Sequence, residues 1–150
     1  MATTALLKLA DGGTFPASTS LESLANGAAI SIGKVDLGNP APFDVVLHVE
    51  LSWTGKTLAD LSAHVVEIYV GFATGTAGTF PDSNNILLGY VGSMQANTAV
   101  PQQSVQDFLI PVMDQGMQVV IRNNSGTALA TSFNGASHAI TYRSRTIALV

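Results

Sequence analysis

The stretch FDVVLHVELSW, residues 43–53, decides the fold of this chain. Its odd positions are Phe, Val, Leu, Val, Leu and Trp, and its even positions are mostly polar. Side chains of a β-strand point alternately to opposite faces, so the pattern predicts a half-buried strand. A strand with six large apolar groups on one face is not stable alone in water. The rest of the chain must therefore supply partner strands and a matching apolar surface.

The composition limits the class of protein. At 150 residues the chain is long enough for one domain, residues 1–150, with a substantial core of its own. Charged residues make up only 11% of it, against about 25% in an average soluble domain, and the mean hydropathy is +0.34. These are too few charges for an ordinary solvated surface. The composition is typical of a domain whose surface is largely covered by neighbouring subunits.

Several other classes are disfavoured by the same sequence. Acidic residues, glycines and prolines interrupt every apolar run well before the ~20 residues that span a bilayer, so transmembrane helices and a membrane partner are excluded. The net charge is −4 and the six basic residues are scattered, so we expect no nucleic-acid partner. Residues 1–11 lack the features of a secretory signal. The absence of cysteine fits synthesis in a reducing cytosol.

Short apolar segments separated by turn residues recur along the whole chain. Besides the first stretch, the predicted strands are residues 5–9, 28–33, 64–72, 86–91, 105–112, 117–123, 127–133 and 139–150. One short helix at most fits, near residues 19–22, where Thr19 and Glu22 have capping-box spacing. Strands at roughly ten-residue spacing predict an all-β fold, a jelly-roll-like β-sandwich of about eight or nine strands.

Two pairings are predicted among these strands. The long strand 64–72 is expected beside strand 43–53, and strands 105–112 and 117–123 are expected to form a hairpin around the turn 113–116. The segments 73–85 and 92–103 are predicted as long loops, and long loops in compact domains are often functional.

The sequence carries no catalytic motif. The three histidines form no local pair with metal-ligand spacing, and no phosphate-binding loop, calcium loop or nucleophile elbow is complete. We therefore expect a protein that is not an enzyme, with no catalytic residue, metal or cofactor. A Ser-His-Asp triad stays open at this point, because its members are distant in sequence. For His48, on the polar face beside Glu50, we predict a cross-strand polar contact.

Five residues are candidates for an interface. Phe15 and Phe80, the latter followed by Pro81, lie in turn-rich loops where burial in their own domain is not guaranteed. Ordinary packing within those loops is the alternative. Arg143 and Arg145 fall on one face of the last strand, where they can reach carboxylates of a partner chain; a solvated edge that discourages aggregation is the alternative. The periodicity assigns the other aromatic candidates, Trp53 and Phe108, to the core.

Several segments together resemble small structural proteins encoded in the head gene clusters of tailed bacteriophages. They are GTFPAS at 13–18, LANGAA at 24–29, DLGNPAPFDVVLHVELSW at 36–53, FPDSNN at 80–85 and VVIRNNSG at 119–126. The resemblance implies a capsid decoration, or cement, protein with a jelly-roll-like fold. Such a protein sits on the outer surface of the virion head, across junctions of the major capsid protein, and is made in the bacterial host cytoplasm.

The resemblance implies two partners, the major capsid protein and further copies of the chain, as a homodimer or a homotrimer. It carries over no catalytic residues. Two other functions stay open: a tail or fibre component of the phage, and a carbohydrate-binding or hydrolytic β-sandwich. The latter predicts a concave aromatic face with carboxylates, whereas this sequence has one Trp and no closely spaced carboxylate pair.

Overall fold

A computed structural model describes residues 5–16, 18–38, 40–53, 65–73, 89–95 and 102–149. In this part of the chain there are eight β-strands and one turn of 3-10 helix, Ser18–Leu21. No helix here is long and apolar enough to span a membrane. The strands are β1 Ala5–Thr14, β2 Ala29–Asp36, β3 Asp44–Ser52, β4 Val65–Ala73, β5 Gly89–Gln95, β6 Gln103–Pro111, β7 Gly116–Asn124 and β8 Ala139–Leu149.

The strands form two antiparallel four-stranded sheets that pack on each other. Sheet A has the order β1-β8-β3-β6 and sheet B has the order β2-β7-β4-β5. Each strand of the first half of the chain pairs with its counterpart from the second half: β1 with β8, β2 with β7, β3 with β6 and β4 with β5. This is the topology of an eight-stranded jelly roll, because the two halves run as one antiparallel ribbon that winds into both sheets. The predicted fold class is confirmed.

The strand that decides the fold, β3, lies inside sheet A between β8 and β6. Val45, Leu47, Val49 and Leu51 are fully buried on its inner face. Phe43 precedes the strand and is 63% exposed, so the expectation that it completes the apolar face is wrong. The expected pairing with segment 64–72 is also wrong: β4 lies in sheet B, between β7 and β5.

The predicted hairpin between segments 105–112 and 117–123 is a crossover instead. β6 belongs to sheet A and β7 to sheet B, so residues 112–115 carry the chain from one sheet to the other. The physical reason is that each strand has its own apolar face. Phe108 and Ile110 of β6 and Val119 and Ile121 of β7 are all buried, and they pack across the core rather than side by side.

Two further predicted strands differ from the structure. Segment 127–133 is not a strand: Leu129 forms an isolated bridge to Trp53, and the amide of Ala130 donates to the carbonyl of Ser52 at 2.8 Å. This segment therefore covers the end of β3. The strand predicted at 86–91 is described only from residue 89, and it continues through residues 92–95, which were predicted as loop.

The core fills the space between the two sheets. Its fully buried, large side chains are Phe15, Leu21, Ile32, Leu47, Leu51, Ile68, Met94, Met117, Ile121, Leu129 and Ile140. Trp53 and Phe108 are also buried, as predicted. The ring of Phe108 on sheet A rests on Gly92 of sheet B, where a Cβ atom would lie 2.7 Å from the ring. A glycine at this position therefore lets the two sheets approach along the side of β5 and β6.

Truncation of one core leucine tests which face of sheet A is buried. We expect Leu47→Ala to lower the free energy of unfolding by about 2–5 kcal/mol, because it leaves a cavity in the core. Leu109→Ala on the adjacent strand β6 is the matched control, and it should cost below about 1 kcal/mol because that side chain is largely exposed. Urea unfolding measures both values. Equal losses at the two positions would contradict the assignment of faces.

Candidate protein-binding surface

The outward face of sheet A carries three rows of paired residues near one end of the sandwich. Directly opposed residues of antiparallel strands point to the same side of the sheet, so the register gives the rows without further assumption. From that end inward, the rows are Arg145, Asp44 and Pro111; Arg143, Val46 and Leu109; and Thr141, His48 and Asp107.

The first row is fixed by an ion pair between Arg145 and Asp44. The guanidinium donates from both Nε and Nη2 to the two carboxylate oxygens, with the Nε contact at 2.5 Å. The Asp44 side chain is buried and Arg145 is partly exposed. These hydrogen bonds from Arg145 hold the pKa of Asp44 below its ordinary value of 3.8, against the opposing effect of burial. The pair ties the first residue of β3 to β8.

The third row centres on His48. Its Nδ1 lies 2.6 Å from a carboxylate oxygen of Asp107 on β6, and its Nε2 lies 3.3 Å from a carboxylate oxygen of Glu50. The cross-strand polar contact predicted for His48 is therefore confirmed. The hydrogen bond with Asp107, reinforced by Glu50, raises the pKa of His48 above 6.5, although partial burial opposes the shift. Only the imidazolium form donates to both carboxylates at once.

Large apolar side chains are exposed together at the same end of the sandwich. We call the group formed by Phe43, Tyr90, Leu109 and Met113 the apolar end; their exposed fractions are 63%, 60%, 58% and 84%. Phe43, Leu109 and Met113 line one groove, which lies over the Arg145 and Asp44 pair. Tyr90 and Met113 line a second groove, which opens between the two sheets. Met113 is thus the ridge between two grooves.

The backbone holds Phe43 rigidly although its ring is in water. The amide of Phe43 donates to the carbonyl of Arg145 at 3.0 Å, and its carbonyl accepts from the amide of Val112 at 3.3 Å. The preceding residues Pro40 and Pro42 restrict the backbone that leads into β3. Because this backbone is already fixed, only the side chain of Phe43 loses conformational freedom when a partner covers it, which favours binding.

The five predicted interface residues differ in burial and in the partners that they contact. Phe15 is 1% exposed and packs edge-on against the ring of Tyr142 at 5.6 Å, so it is a core residue and the prediction for it is wrong. The carboxylate that pairs with Arg145 is Asp44 of its own chain, so the expected pairing with a partner's carboxylate is wrong, although Arg145 lines the groove beside Phe43. Arg143 is exposed and forms no ion pair within the described residues. Phe80 and Pro81 lie outside the described residues.

The buried pair of Ser52 and His138 does not have the geometry of a nucleophile and its base. Ser52 Oγ lies 3.0 Å from His138 Nε2, but its hydroxyl donates to the carbonyl of Ser132 at 2.5 Å. The serine proton is therefore already used, and the imidazole N–H donates to the serine oxygen. Burial lowers the pKa of His138, so the ring is neutral. The pair ties β3 to the segment that covers its end.

The outward face of sheet B carries an aromatic pair. The rings of Tyr69 and Tyr90 meet edge to face at 5.7 Å. The Tyr69 hydroxyl donates to a carboxylate oxygen of Glu67 at 3.0 Å, and Arg122 lies 3.9 Å from the same carboxylate. The hydrogen bond to Glu67 raises the pKa of Tyr69. Within the described residues no cluster of His, Asp and Glu has the geometry of a metal site.

Comparison of the sequence with known proteins gives no family for this chain. No protein-family model matches the chain, and no curated protein matches its sequence.

Sequence reasoning did not find the apolar end. Phe43 continues the alternation of β3, and Met113 lies in a turn that was predicted to close a hairpin. A usable signal is present only at Leu109, which alternates with the buried Phe108 and Ile110 and therefore points away from the core.

Loss of the Asp44 carboxylate tests the first row. We expect Asp44→Asn to lower the free energy of unfolding by about 1–3 kcal/mol at pH 7, because Arg145 loses its charge-assisted hydrogen bonds. The stabilisation is present above pH 3.8 and is lost as the pH falls through the lowered pKa of Asp44. Urea unfolding at neutral pH and below pH 3.8 measures the difference, with the exposed Glu22→Gln as control. If the wild type and Asp44→Asn differ in free energy of unfolding by the same amount at both pH values, the ion pair is contradicted.

Titration of His48 tests the third row. Its imidazole proton resonances in NMR should titrate above pH 6.5, and Asp107→Asn should move the midpoint back toward 6.5. The exposed Asp36→Asn, in sheet B, is the control and should leave the midpoint unchanged. Because the folded pKa is raised, the contribution of His48 to stability is complete below pH 6.5 and is lost as the pH rises through that pKa. A midpoint at or below 6.5 in the wild type would refute this network.

Proposed function

We propose that this chain is a structural protein of a tailed-phage virion that decorates the outside of the head. In this proposal it binds across junctions of the major capsid protein and stabilises the assembled shell. The sequence supports it through the head-gene segments quoted above and through the low content of charged residues. The jelly roll is compatible with the proposal but is shared by proteins of many functions, so it adds little by itself.

The observation that carries the proposal is the apolar end. A single exposed apolar side chain is ordinary on a protein surface. Four large ones, gathered around two grooves, are typical of a surface that another protein covers. Burying a side chain of this size gains about 1.5–3 kcal/mol, so a few of them supply much of the energy of a stable contact.

The proposed mechanism is additive adhesion. Each copy covers its apolar end against capsid subunits and contributes a modest contact free energy. The symmetry of the shell repeats that contact many times, so the gain in shell stability is large although each contact is not. No chemical step is required, and no cofactor takes part.

Charge placed on the apolar end tests the proposal. Phe43→Asp and Met113→Asp should leave the fold intact, because both side chains are exposed, and should weaken binding to purified heads that lack the protein by about 10–100-fold each. Thr131→Asp, exposed in the segment that covers the other end of β3, is the matched control and should bind like the wild type. Co-sedimentation of the protein with heads measures the affinity.

The same heads give the functional readout. Heads that carry wild-type protein should rupture at a higher temperature than bare heads, and heads mixed with Phe43→Asp at the concentration that just saturates with wild type should rupture closer to the temperature of bare heads. Bare heads that are as robust as decorated ones would contradict the proposal. If the wild type binds isolated tails and not heads, the tail or fibre alternative is correct instead.

The second candidate function, carbohydrate binding, is favoured by one observation. Tyr69 and Tyr90 present an aromatic pair on the outward face of sheet B beside Glu67 and Arg122. Rings and a carboxylate of this kind are the groups that bind the faces and hydroxyls of sugars. Saturation-transfer NMR with a glycan panel separates the two functions. Glycan signals that appear with the wild type and disappear with Tyr90→Ala would support sugar binding. A wild type that gives no glycan signal would favour the decoration function.

A further inference from the structure

We propose that the edge strand β6 binds an extended segment of another protein as an added β-strand of sheet A. The segment has a lysine or arginine at its centre and an apolar residue two positions away on each side. The proposal goes beyond the decoration function and does not depend on it. It concerns residues 105–109, of which only Leu109 belongs to the apolar end.

Among the four edge strands of the two sheets, β6 is the regular one. Within the described residues, the other three are each interrupted where the register against the neighbouring strand shifts: β1 between Leu9 and Gly12, β2 between Ser31 and Lys34, and β5 between Tyr90 and Gly92. By contrast, β6 pairs with β3 through nine consecutive residues without a shift. A bulge discourages pairing at an edge, so β6 is the edge on which another strand fits.

The backbone of β6 bonds to β3 at even positions and points away from it at odd positions. At one end the carbonyl of Gln102 accepts from the amide of Trp53 at 3.0 Å, and at the other the amide of Val112 donates to the carbonyl of Phe43 at 3.3 Å. Successive residues of a regular antiparallel strand bond alternately to its two sides. The odd-numbered residues from 105 to 109 therefore direct their N–H and C=O groups to the open side, where the described part of the chain supplies no backbone partner.

The open stretch has defined ends. Pro111 has no N–H to offer to an added strand. At the other end, the side chain of Gln103 donates to Asn134 at 2.8 Å. Between these ends, a five-residue partner segment extends over about 17 Å, and each odd position of β6 offers it one donor and one acceptor.

The side chains along this edge define the chemistry of the partner. Val105 and Leu109 are 55% and 58% exposed, and between them the side chain of Asp107 is 64% exposed. Directly opposed side chains of paired strands lie on the same face and contact each other. Apolar residues of the partner therefore cover Val105 and Leu109, while the residue between them faces Asp107.

The residue that faces Asp107 is basic. One oxygen of Asp107 lies 2.6 Å from Nδ1 of His48, and its other oxygen has no partner within the described residues. Glu50 lies on the far side of the same imidazole at 3.3 Å. Two carboxylates and one histidine leave this cluster negative in either protonation state of His48. The net charge of the whole chain, −4, also attracts a basic segment.

The same charge disfavours a second copy of β6 as the added strand. The strand Gln103–Pro111 is centred on Asp107, so two-fold pairing over its full length sets the Asp107 carboxylates of two copies directly opposite each other. Like charges in that position are destabilising.

Two synthetic peptides and amide hydrogen exchange test the proposal. The peptide GSVTKTVSG carries the proposed pattern, and GSVTETVSG has glutamate in place of the lysine. In the free protein, NMR should show faster exchange at the odd-numbered amides of 105–109 than at the even-numbered ones. The lysine peptide should slow exchange at the odd positions and leave the even ones unchanged. It should bind about 3–10-fold more tightly than the glutamate peptide.

Variants separate pairing from folding. Val105→Pro removes one outward-pointing N–H but no hydrogen bond to β3, so it should stay folded by circular dichroism and bind the lysine peptide at least about tenfold more weakly. Val105→Thr keeps the N–H and should bind like the wild type. Asp107→Asn should bring the two peptides to equal affinity. If Val105→Pro unfolds the chain, the Asp107→Asn comparison still decides.

Three results would overturn the proposal. The first is no added protection at the odd positions with the lysine peptide at up to about 1 mM. The second is slow exchange at those amides in the free protein, whether at every concentration, which means that the edge is already occupied, or only at high concentration, which means that a second copy pairs there. The third is equal binding of the two peptides to the wild type.

Discussion

The structure depends on the burial of one face of β3. Val45, Leu47, Val49 and Leu51 are fully excluded from water, and burial of side chains of this size gains about 1.5–3 kcal/mol each. Because side chains alternate along a strand, this burial forces the residues between them onto the outward face of sheet A. That alternation and the register with β6 and β8 place His48 directly opposite Asp107 and Asp44 directly opposite Arg145.

Much of the fold could be predicted from the sequence because period-2 patterns report local geometry. The alternation of residues 43–53 identified β3 and, apart from Phe43, its buried face, and the spacing of turn residues identified the sandwich. Pairing could not be predicted in the same way. The turn at 113–116 is compatible with a hairpin or a crossover, and the choice depends on which apolar faces pack across the core. For the same reason, the sequence could not show that the carboxylate within reach of Arg145 is Asp44 on β3 of the same chain.

The central claim is that the apolar end is the surface covered in the virion, and oxidation of Met113 tests it most directly. Met113 is 84% exposed, whereas Met94 and Met117 are fully buried and provide internal references. Peroxide converts accessible methionine to its sulfoxide, so mass spectrometry gives the rate at each position. On purified heads, Met113 should oxidise at least about tenfold more slowly than in the free protein, as expected for a buried thioether. An unchanged rate at Met113 on saturated heads would contradict the account.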